Sequence, residues 1–406
     1  MNKTDLKSHQ EIGQEQDLFT FSDLVGSGLP LFTPKGTTIR RVLQRYIEDI
    51  LEKYEYEFVS IPHIAKKELY EKSGHLEKFS NDMFPEMEAK GRKYILKPAN
   101  CPHHTQIFAR KLISYREMPQ RYAESTTQYR SEQSGELEGL ARVLGLTLDD
   151  SHVFARPDQV KEEFRRALEV NREMLKDFGL KYWIRLSAWD PKSKTKYLGD
   201  EKIWEEMQQL MEEILKELKI EYKKIEGEAA FYGPKMDLII TDSLGKEWQL
   251  STIQVDFNLP ERFDLSYVDE GNKKVRPVML HRATFGSYER FMAMIIEHFQ
   301  GIFPLWLAPI QIELLTINDD VNNYAKKVRL KLKENQIRAS VDLRNEKLGA
   351  KIRNSTLQKI PYLGIIGEKE VEEKSISLRS REGNDLGKIK ISDLIDKLKE
   401  EIDKKI

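Results

Sequence analysis

The sequence predicts an α+β domain followed by a smaller α/β domain, and three observations lead there. Between Tyr182 and Phe257 strand patterns predominate, joined by a hairpin-type turn rather than by crossovers, as in an antiparallel sheet. From Ile310 onward strands and helices alternate, the rhythm of an α/β unit. The chain has 406 residues, 39% of them hydrophobic, which is enough to build more than one core. A boundary is expected near Leu307–Pro309, giving an N-terminal extension over 1–20, a larger domain over 21–306 and a smaller one over 307–406.

The first ~20 residues carry no strong periodicity and read as an extension. From Thr37, taken as the N-cap, Ile39, Val42, Leu43, Tyr46, Ile47, Ile50 and Leu51 recur at helical spacing as far as Tyr54. EFVSIP is a short β-branched run closed by Pro62, and KYILKPAN is an alternating strand that ends at Pro98. A helix is expected from Pro102 to Ser114. RYAESTTQYRSEQ then reads as a strand whose alternation puts Arg130 and Glu132 on one face. Pro157 at a first-turn position and Gly179 past the last turn bracket an amphipathic helix with Val160, Phe164, Leu168, Leu175 and Phe178 inward. One helix, around Glu201 to Leu218, interrupts the following strands. KMDLIITD, the turn SLGK and EWQLSTIQVDF form an antiparallel hairpin, and 258–276 reads as a surface loop. The C-terminal part gives strands at IQIELLTI, IRASVDLR, YLGIIG and SISLRS, with helices between and after them.

Composition narrows the class. With 22 glycines and 15 prolines, and charged residues at 33%, neither wholesale disorder nor a collagen-like repeat fits. No apolar run approaches the ~18 residues of a membrane span, and the N-terminus lacks the apolar stretch of a signal peptide, so a cytoplasmic protein without a membrane partner is expected. The single cysteine, Cys101, excludes an intramolecular disulfide. Net charge is −1, so no overall positive field marks the chain as a nucleic-acid coat. The segment Arg344 to Lys359 nevertheless holds five basic side chains and one acidic, a local attractor for phosphates that could equally be a solvated helix face.

Three segments together resemble the signature of class II aminoacyl-tRNA synthetases. The helix from Thr37 with YEFVSIP is similar to the first motif, TTQYRSE with Arg130 and Glu132 to the second, and HRATFGSYERF with Gly286, Glu289 and Arg290 to the third. Each fragment alone is weak; an R-x-E tripeptide is common. Their order, with NCPHH at 100–104, GLARVLGLTLDDSH at 139–152, AAFYGPK at 229–235 and IQVDFNLPERF at 253–263, narrows the resemblance to the threonyl-tRNA synthetase family over nearly the whole chain.

The resemblance implies a catalytic domain built on an antiparallel sheet flanked by helices, an anticodon-binding domain after it, and a homodimer formed through the helix from Thr37. It implies a threonine–tRNA ligase acting on threonine, ATP and tRNA(Thr). Activating an amino acid builds negative charge on a phosphate in transit, which fixed guanidinium groups can meet. Arg130 would bridge the threonine carboxylate and the α-phosphate, Arg290 would lie over adenine, Arg142 would hold the outer phosphates and Glu132 would accept from the adenine amino group, with Mg2+ accompanying ATP.

Cys101, His152 and His281 fall at the family's zinc-ligating positions. Their intervals of 51 and 129 residues match no zinc finger, and the residues alone would leave Cys101 a core cysteine. His103 and His104 are rival ligands, ranked second because the resemblance gives ligation to the cysteine that heads the segment. Asp150 would receive the threonine hydroxyl, Tyr232 would contact the amino group, and Gln254 would orient the substrate. His75 matches a histidine that the family sets near the tRNA terminal ribose, with a surface or core histidine as the alternative.

In the smaller domain Asn345, Arg353, Glu370 and Arg379 match positions that read anticodon bases or backbone, and Lys359 a phosphate contact. The chain departs from the family at Leu146 (phenylalanine is common), Leu148 (glutamine), Ala99 (methionine) and His103 (glycine). With only ~20 residues ahead of the expected core, the N-terminal editing domains of the family are missing, so the chain is expected to be either an engineered fragment or a naturally short form that leaves editing to a separate protein acting in trans. Two rival readings differ from it: a non-catalytic tRNA-binding relative, which has no chemical need for Arg130, Glu132 and Arg290, and a seryl or prolyl enzyme, which the Cys101, His152, His281 set disfavours.

Overall fold

The computed structural model describes residues 6–199, 201–242 and 245–405. The chain divides into two compact units: one gathers residues up to Thr20, Leu31–Leu43 and everything from Ile295, and the other holds Phe21–Pro30 and Gln44–Met294.

Among the described residues the second unit is built on a sheet of eight strands, in the order 223–226, 182–188, 235–241, 247–256, 278–287, 145–155, 120–129 and 57–58. The six inner strands are antiparallel throughout. Both edges are parallel: Glu57–Phe58 runs with Gln120–Tyr129, and Lys223–Glu226 with Tyr182–Ala188. The second of these is a strand–helix–strand crossover that the sequence reading excluded. The helix Glu201–Glu217 returns the chain to the end where it left the sheet, and its Trp204, Met207, Met211, Ile214 and Leu215 are buried. The expected hairpin forms from Lys235–Thr241 and Glu247–Asp256; Ser243 and Leu244 of its turn lie outside the described residues. The helix Val160–Asp177 buries Val160, Phe164, Leu168 and Leu175 and ends before Gly179, whose φ of +64° is a left-handed stop.

Four expected boundaries move. The strand ends at Tyr129, so Arg130 and Glu132 follow it rather than alternate along it. The helix expected over 102–114 stops at Phe108, because the buried Ile113 pairs as a strand with Tyr267. That pairing also orders the segment read as a loop: Asn258–Arg262 is helical and Tyr267–Val268 pairs with Lys274–Val275, with Leu259, Phe263, Leu265 and Tyr267 buried in one cluster. The long helix runs Pro34–Lys53; proline occupies its first position, and Thr33, not Thr37, supplies the hydroxyl that accepts from the Gly36 N–H at 3.3 Å.

In the first unit the described leading residues, from Leu6 onward, are folded. Ser8 and Glu11 form a capping box for the helix His9–Glu15, Ile12 and Leu18 are buried, and the His9 ring meets Glu297 at 2.7 Å. Strands Ala339–Asp342, Ile312–Thr316, Tyr362–Ile366, Ser375–Ser380 and Asp385–Lys390 make a mixed sheet, parallel across the first three and antiparallel across the last. The final strand and the short helix Glu368–Glu372 were not expected from the sequence. Among the described residues no helix is long and apolar enough to cross a membrane.

Candidate active site

A cleft of about 220 Å³ opens on one face of the eight-stranded sheet. Register builds its floor. His152, His281 and Gln254 are direct cross-strand neighbours on three adjacent strands, and one pleat further along, Asp150 lies opposite Ala283, which lies opposite Thr252. Side chains two apart share a face, so Leu146, Leu148, Asp150 and His152 all point into the cleft. Cys101 enters from the first turn of the helix Cys101–Phe108. The cleft wall brings in Arg130, Glu132, Arg142 and Arg290, and also Tyr232 and Ala99.

The Cys101 Sγ and one nitrogen each of His152 and His281 lie within 4.8 Å of one another, and all three residues are buried. Their remaining contacts fit a metal. The His281 Nε2 meets Asp256 Oδ2 at 2.9 Å and the His152 Nδ1 meets His104 Nδ1 at 2.8 Å, so each ring has one nitrogen engaged by an outer partner and the other left. Three soft or borderline donors without a fourth protein ligand match an open zinc site. Burial drives the Cys101 thiol well up and the His152 imidazole well down from their ordinary values, with Asp150 and Asp256 adding to the first and His281 and His104 to the second. Metal ligation favours the thiolate and the neutral imidazole.

Asp150 is buried beside this group. Its Oδ2 accepts from Asn100 Nδ2 at 2.9 Å and Gln128 Nε2 at 3.3 Å, while Oδ1 stands 3.9 Å from His152 Nε2. Burial raises its carboxyl above the ordinary range. The Tyr232 hydroxyl donates to Gln254 Oε1, and its ring stacks on His281 at 4.8 Å.

The cationic wall is partly pre-assembled. Arg142 is held by Glu132 through Nε at 2.9 Å and Nη2 at 2.7 Å, with Glu136 at 3.2 Å. Arg290 donates from Nε to the Ala141 carbonyl at 2.9 Å and lies 5.6 Å over the Trp248 ring. Burial, and then the neighbouring Arg130 and Arg142, lower the pKa of Arg290. Arg130 rests over Phe79 at 5.3 Å, and its Nε is buried with no hydrogen-bond partner among the described residues. Three guanidinium groups converging on one cleft are suited to receive an anion.

Gly286 is where this wall is set. The strand Val278–Ser287 slips register between Ala283 and Ser287, Gly286 takes φ +72°, and a Cβ there would lie 2.8 Å from the Leu250 carbonyl oxygen. The slip delivers the chain into the helix Tyr288–Phe299 that carries Arg290. On the opposite face Asp149 holds it, accepting from the Thr284 N–H at 2.8 Å and the Phe285 N–H at 2.9 Å, with Arg282 Nη1 3.4 Å away.

His75 lies behind the cleft rather than in its lining. It is buried, its Nδ1 meets Ser73 Oγ at 2.8 Å and its Nε2 faces Cys101 Sγ at 4.0 Å; burial lowers its pKa to about 3, aided by His281 and Arg130. In the other unit Asn345, Arg353 and Lys359 are exposed, while Glu370 is buried with its carboxylate accepting from the Gly367 N–H and the Ser377 hydroxyl, both at 2.9 Å. Arg379 is half-buried and donates to the Gly383 carbonyl.

Sequence reasoning missed Asn100, Gln128 and Asp256, which brace the expected residues, and the buried pair of Asp149 and Arg282. A signal existed for two of them: Asp256 lies one pleat beyond Gln254 on the same strand face, and Gln128 belongs to the strand that leads into Arg130.

Residues 84–299 match a family model described as the tRNA synthetase class II core domain (G, H, P, S and T), and 308–401 one described as an anticodon binding domain. A threonine–tRNA ligase of Oceanobacillus iheyensis is 44% identical over 401 residues, covering 98% of this chain and 62% of that protein; one of Geobacillus kaustophilus is 48% identical over 375 residues, covering 92% and 58%. The chain thus spans about three fifths of the length of these curated relatives. Among solved structures, the RNA binding domain of threonyl-tRNA synthetase from Cryptosporidium parvum Iowa II superposes with a TM-score of 0.92 at 34% identity, over 97% of this chain and 98% of that one. With the arginine-lined cleft, the Cys101, His152, His281 group and these matches all pointing the same way, the chain belongs to the threonyl-tRNA synthetase family of class II aminoacyl-tRNA synthetases.

Proposed function

We propose that the chain activates threonine with ATP to threonyl-adenylate and then passes threonine to the 3′ end of tRNA(Thr). The observation that carries this reading is the meeting, in one cleft, of a buried Cys–His–His group with a wall of arginines. Cys101, His152 and His281 would hold a zinc ion, which when bound supplies a Lewis-acid contact for the amino and hydroxyl groups of threonine together.

The protein's own groups divide the remaining work. Asp150, kept in place by Asn100 and Gln128, accepts the hydroxyl hydrogen of the substrate. Valine offers no hydroxyl, so it leaves the Oδ1 of that buried carboxylate without a donor while Oδ2 keeps Asn100 and Gln128, a larger discrimination than the about 1–3 kcal/mol a purely apolar pocket gives for one group. Serine keeps the hydroxyl and passes this test. Tyr232 and Gln254, already joined by a hydrogen bond, orient the amino group. Arg130, whose buried Nε has no partner among the described residues, bridges the substrate carboxylate and the α-phosphate as the carboxylate attacks. Arg290 lies over adenine, Glu132 accepts from the adenine amino group, and Arg142 turns from Glu132 to the outer phosphates that Mg2+ accompanies. Burial keeps His75 neutral, and from behind the cleft lining it would assist proton transfer from the tRNA ribose in the second step only through a group that lines the cleft. Asn345, Arg353, Lys359, Glu370 and Arg379 read the anticodon, and the protein is a cytoplasmic homodimer through the helix Pro34–Lys53; a purely monomeric elution on size-exclusion chromatography removes that last element.

The test is threonine-dependent pyrophosphate exchange with and without a zinc chelator, beside Cys101→Ala. Loss of exchange under both is expected. Exchange that survives both removes the metal from the reading.

A further inference from the structure

We propose that Glu124, acting through His104, selects the tautomer of His152 that leaves its cleft-facing nitrogen bare for a metal. This deepens the zinc reading above and rests on it. His104 follows Cys101 by three residues on the helix Cys101–Phe108, so both side chains descend on the same side toward the sheet. His104 is completely buried, and its Nδ1 stands 2.8 Å from the His152 Nδ1 with the rings nearly perpendicular.

Two ring nitrogens at that distance share one proton, so one must donate and the other accept. If His152 donates from Nδ1, its Nε2 carries a lone pair toward the cleft and can ligate. If His104 donates, the proton of His152 sits on Nε2 and blocks ligation. The pair by itself does not choose.

The choice is made on the far side of His104. Its Nε2 faces Glu124 Oε2 at 3.8 Å, and among the described residues both atoms are buried without a hydrogen-bond partner. The other oxygen of Glu124 is committed, accepting from the Ile61 N–H at 2.9 Å. Register puts Glu124 directly across from Asp150, on the strand next to the one that carries His152. A carboxylate accepts and never donates, so it favours the His104 form with its proton on Nε2 and a bare Nδ1, which in turn makes His152 the donor. The arrangement parallels the opposite side of the group, where Asp256 engages His281 directly. Glu124 and His104 are therefore positioning residues, and His104 is an outer partner rather than the rival ligand the sequence left open.

The experiment uses the full chain with zinc alone as probe, its affinity read by competition with a chromophoric chelator. In Glu124→Gln the amide oxygen can keep the Ile61 N–H while its NH2 turns to His104, which reverses the tautomers, so zinc affinity is expected to fall roughly 10- to 100-fold. Cys101→Ser is the companion variant. If it binds zinc as tightly as the parent chain, the zinc reading itself fails; if it loses zinc while Glu124→Gln stays within about twofold of the parent, only the role of Glu124 fails. A second measurement needs no variant to fold: imidazole nitrogen NMR of the metal-free parent chain should show His152 protonated at Nδ1 and His104 at Nε2, and the opposite pattern overturns the proposal.

Discussion

Replacing Asp149 by alanine removes the one acceptor that closes the register slip under Arg290. The carboxylate is 1% exposed and serves two backbone N–H groups, of Thr284 and Phe285, and the guanidinium of Arg282, itself 1% exposed. Breaking a buried charge pair by deleting one partner costs about 3–5 kcal/mol, and each orphaned buried donor about 1–3 kcal/mol. Because the slip can relax, these do not simply add, and we expect a loss of about 4–6 kcal/mol, a large part of an ordinary domain's about 5–15 kcal/mol. Asp149→Asn keeps one acceptor oxygen and should lose about half as much. The assay is urea unfolding followed by tryptophan fluorescence, which reports chiefly on the right unit because four of the five tryptophans, Trp183, Trp189, Trp204 and Trp248, lie within Gln44–Met294 and only Trp306 lies in the other. An alanine variant within about 1 kcal/mol of the parent refutes the reasoning, since the carboxylate would then be replaceable by water.

Three shorter expectations follow from the same wall. Gly286→Ala places a Cβ against the Leu250 carbonyl at a φ of +72°, so it should cost about 2–3 kcal/mol and raise the KM for ATP through Arg290; an unchanged unfolding midpoint contradicts it. Leu146→Phe adds an aromatic face to the cleft wall and should lower the KM for ATP roughly 2- to 10-fold, from a contact worth about 0.5–1.5 kcal/mol; unchanged nucleotide binding ends the stacking idea. Burial raises the Asp149 carboxyl to about 6 against Arg282 and two N–H groups that lower it, so its proton is held more tightly folded than unfolded. Its contribution is fully present below the unfolded pKa of about 3.9 and is lost as pH rises through about 6, on the order of 3 kcal/mol in total. The parent chain should therefore lose stability relative to Asp149→Asn between pH 4 and pH 7, as read by urea midpoints, and parallel pH profiles would argue against a raised carboxyl.

What could be read from the sequence was local. The helix Val160–Asp177 and the hairpin of Lys235–Thr241 with Glu247–Asp256 are each specified by periodicity and punctuation within one stretch, and they form as expected. The strand order was not legible, because Val278–Ser287 pairs with Gly145–Ala155 across more than a hundred residues and periodicity carries no information about partners. For the same reason Cys101, His152 and His281 could be grouped only through a family resemblance. Asp149 and Arg282 escaped notice because charges in a single sequence read as surface until the partner is known. The segment after Asn258 was misread since its apolar residues are spaced for neither helix nor strand, yet four of them are buried together.

The place of Val278–Ser287 in the sheet sets a timetable for the living chain. This strand is made last of those that form the cleft floor, yet it sits between two made earlier, Gly145–Ala155 and Glu247–Asp256. A nascent polypeptide emerging from the ribosome must therefore keep a gap between those two, or reopen it, until Val278–Ser287 has been synthesised, and only then do His152 and His281 become neighbours. Completion of the Cys101, His152, His281 group is thus a late event of biogenesis, and a polypeptide arrested before Val278 lacks the strand that carries His281 however well its earlier hairpins have formed.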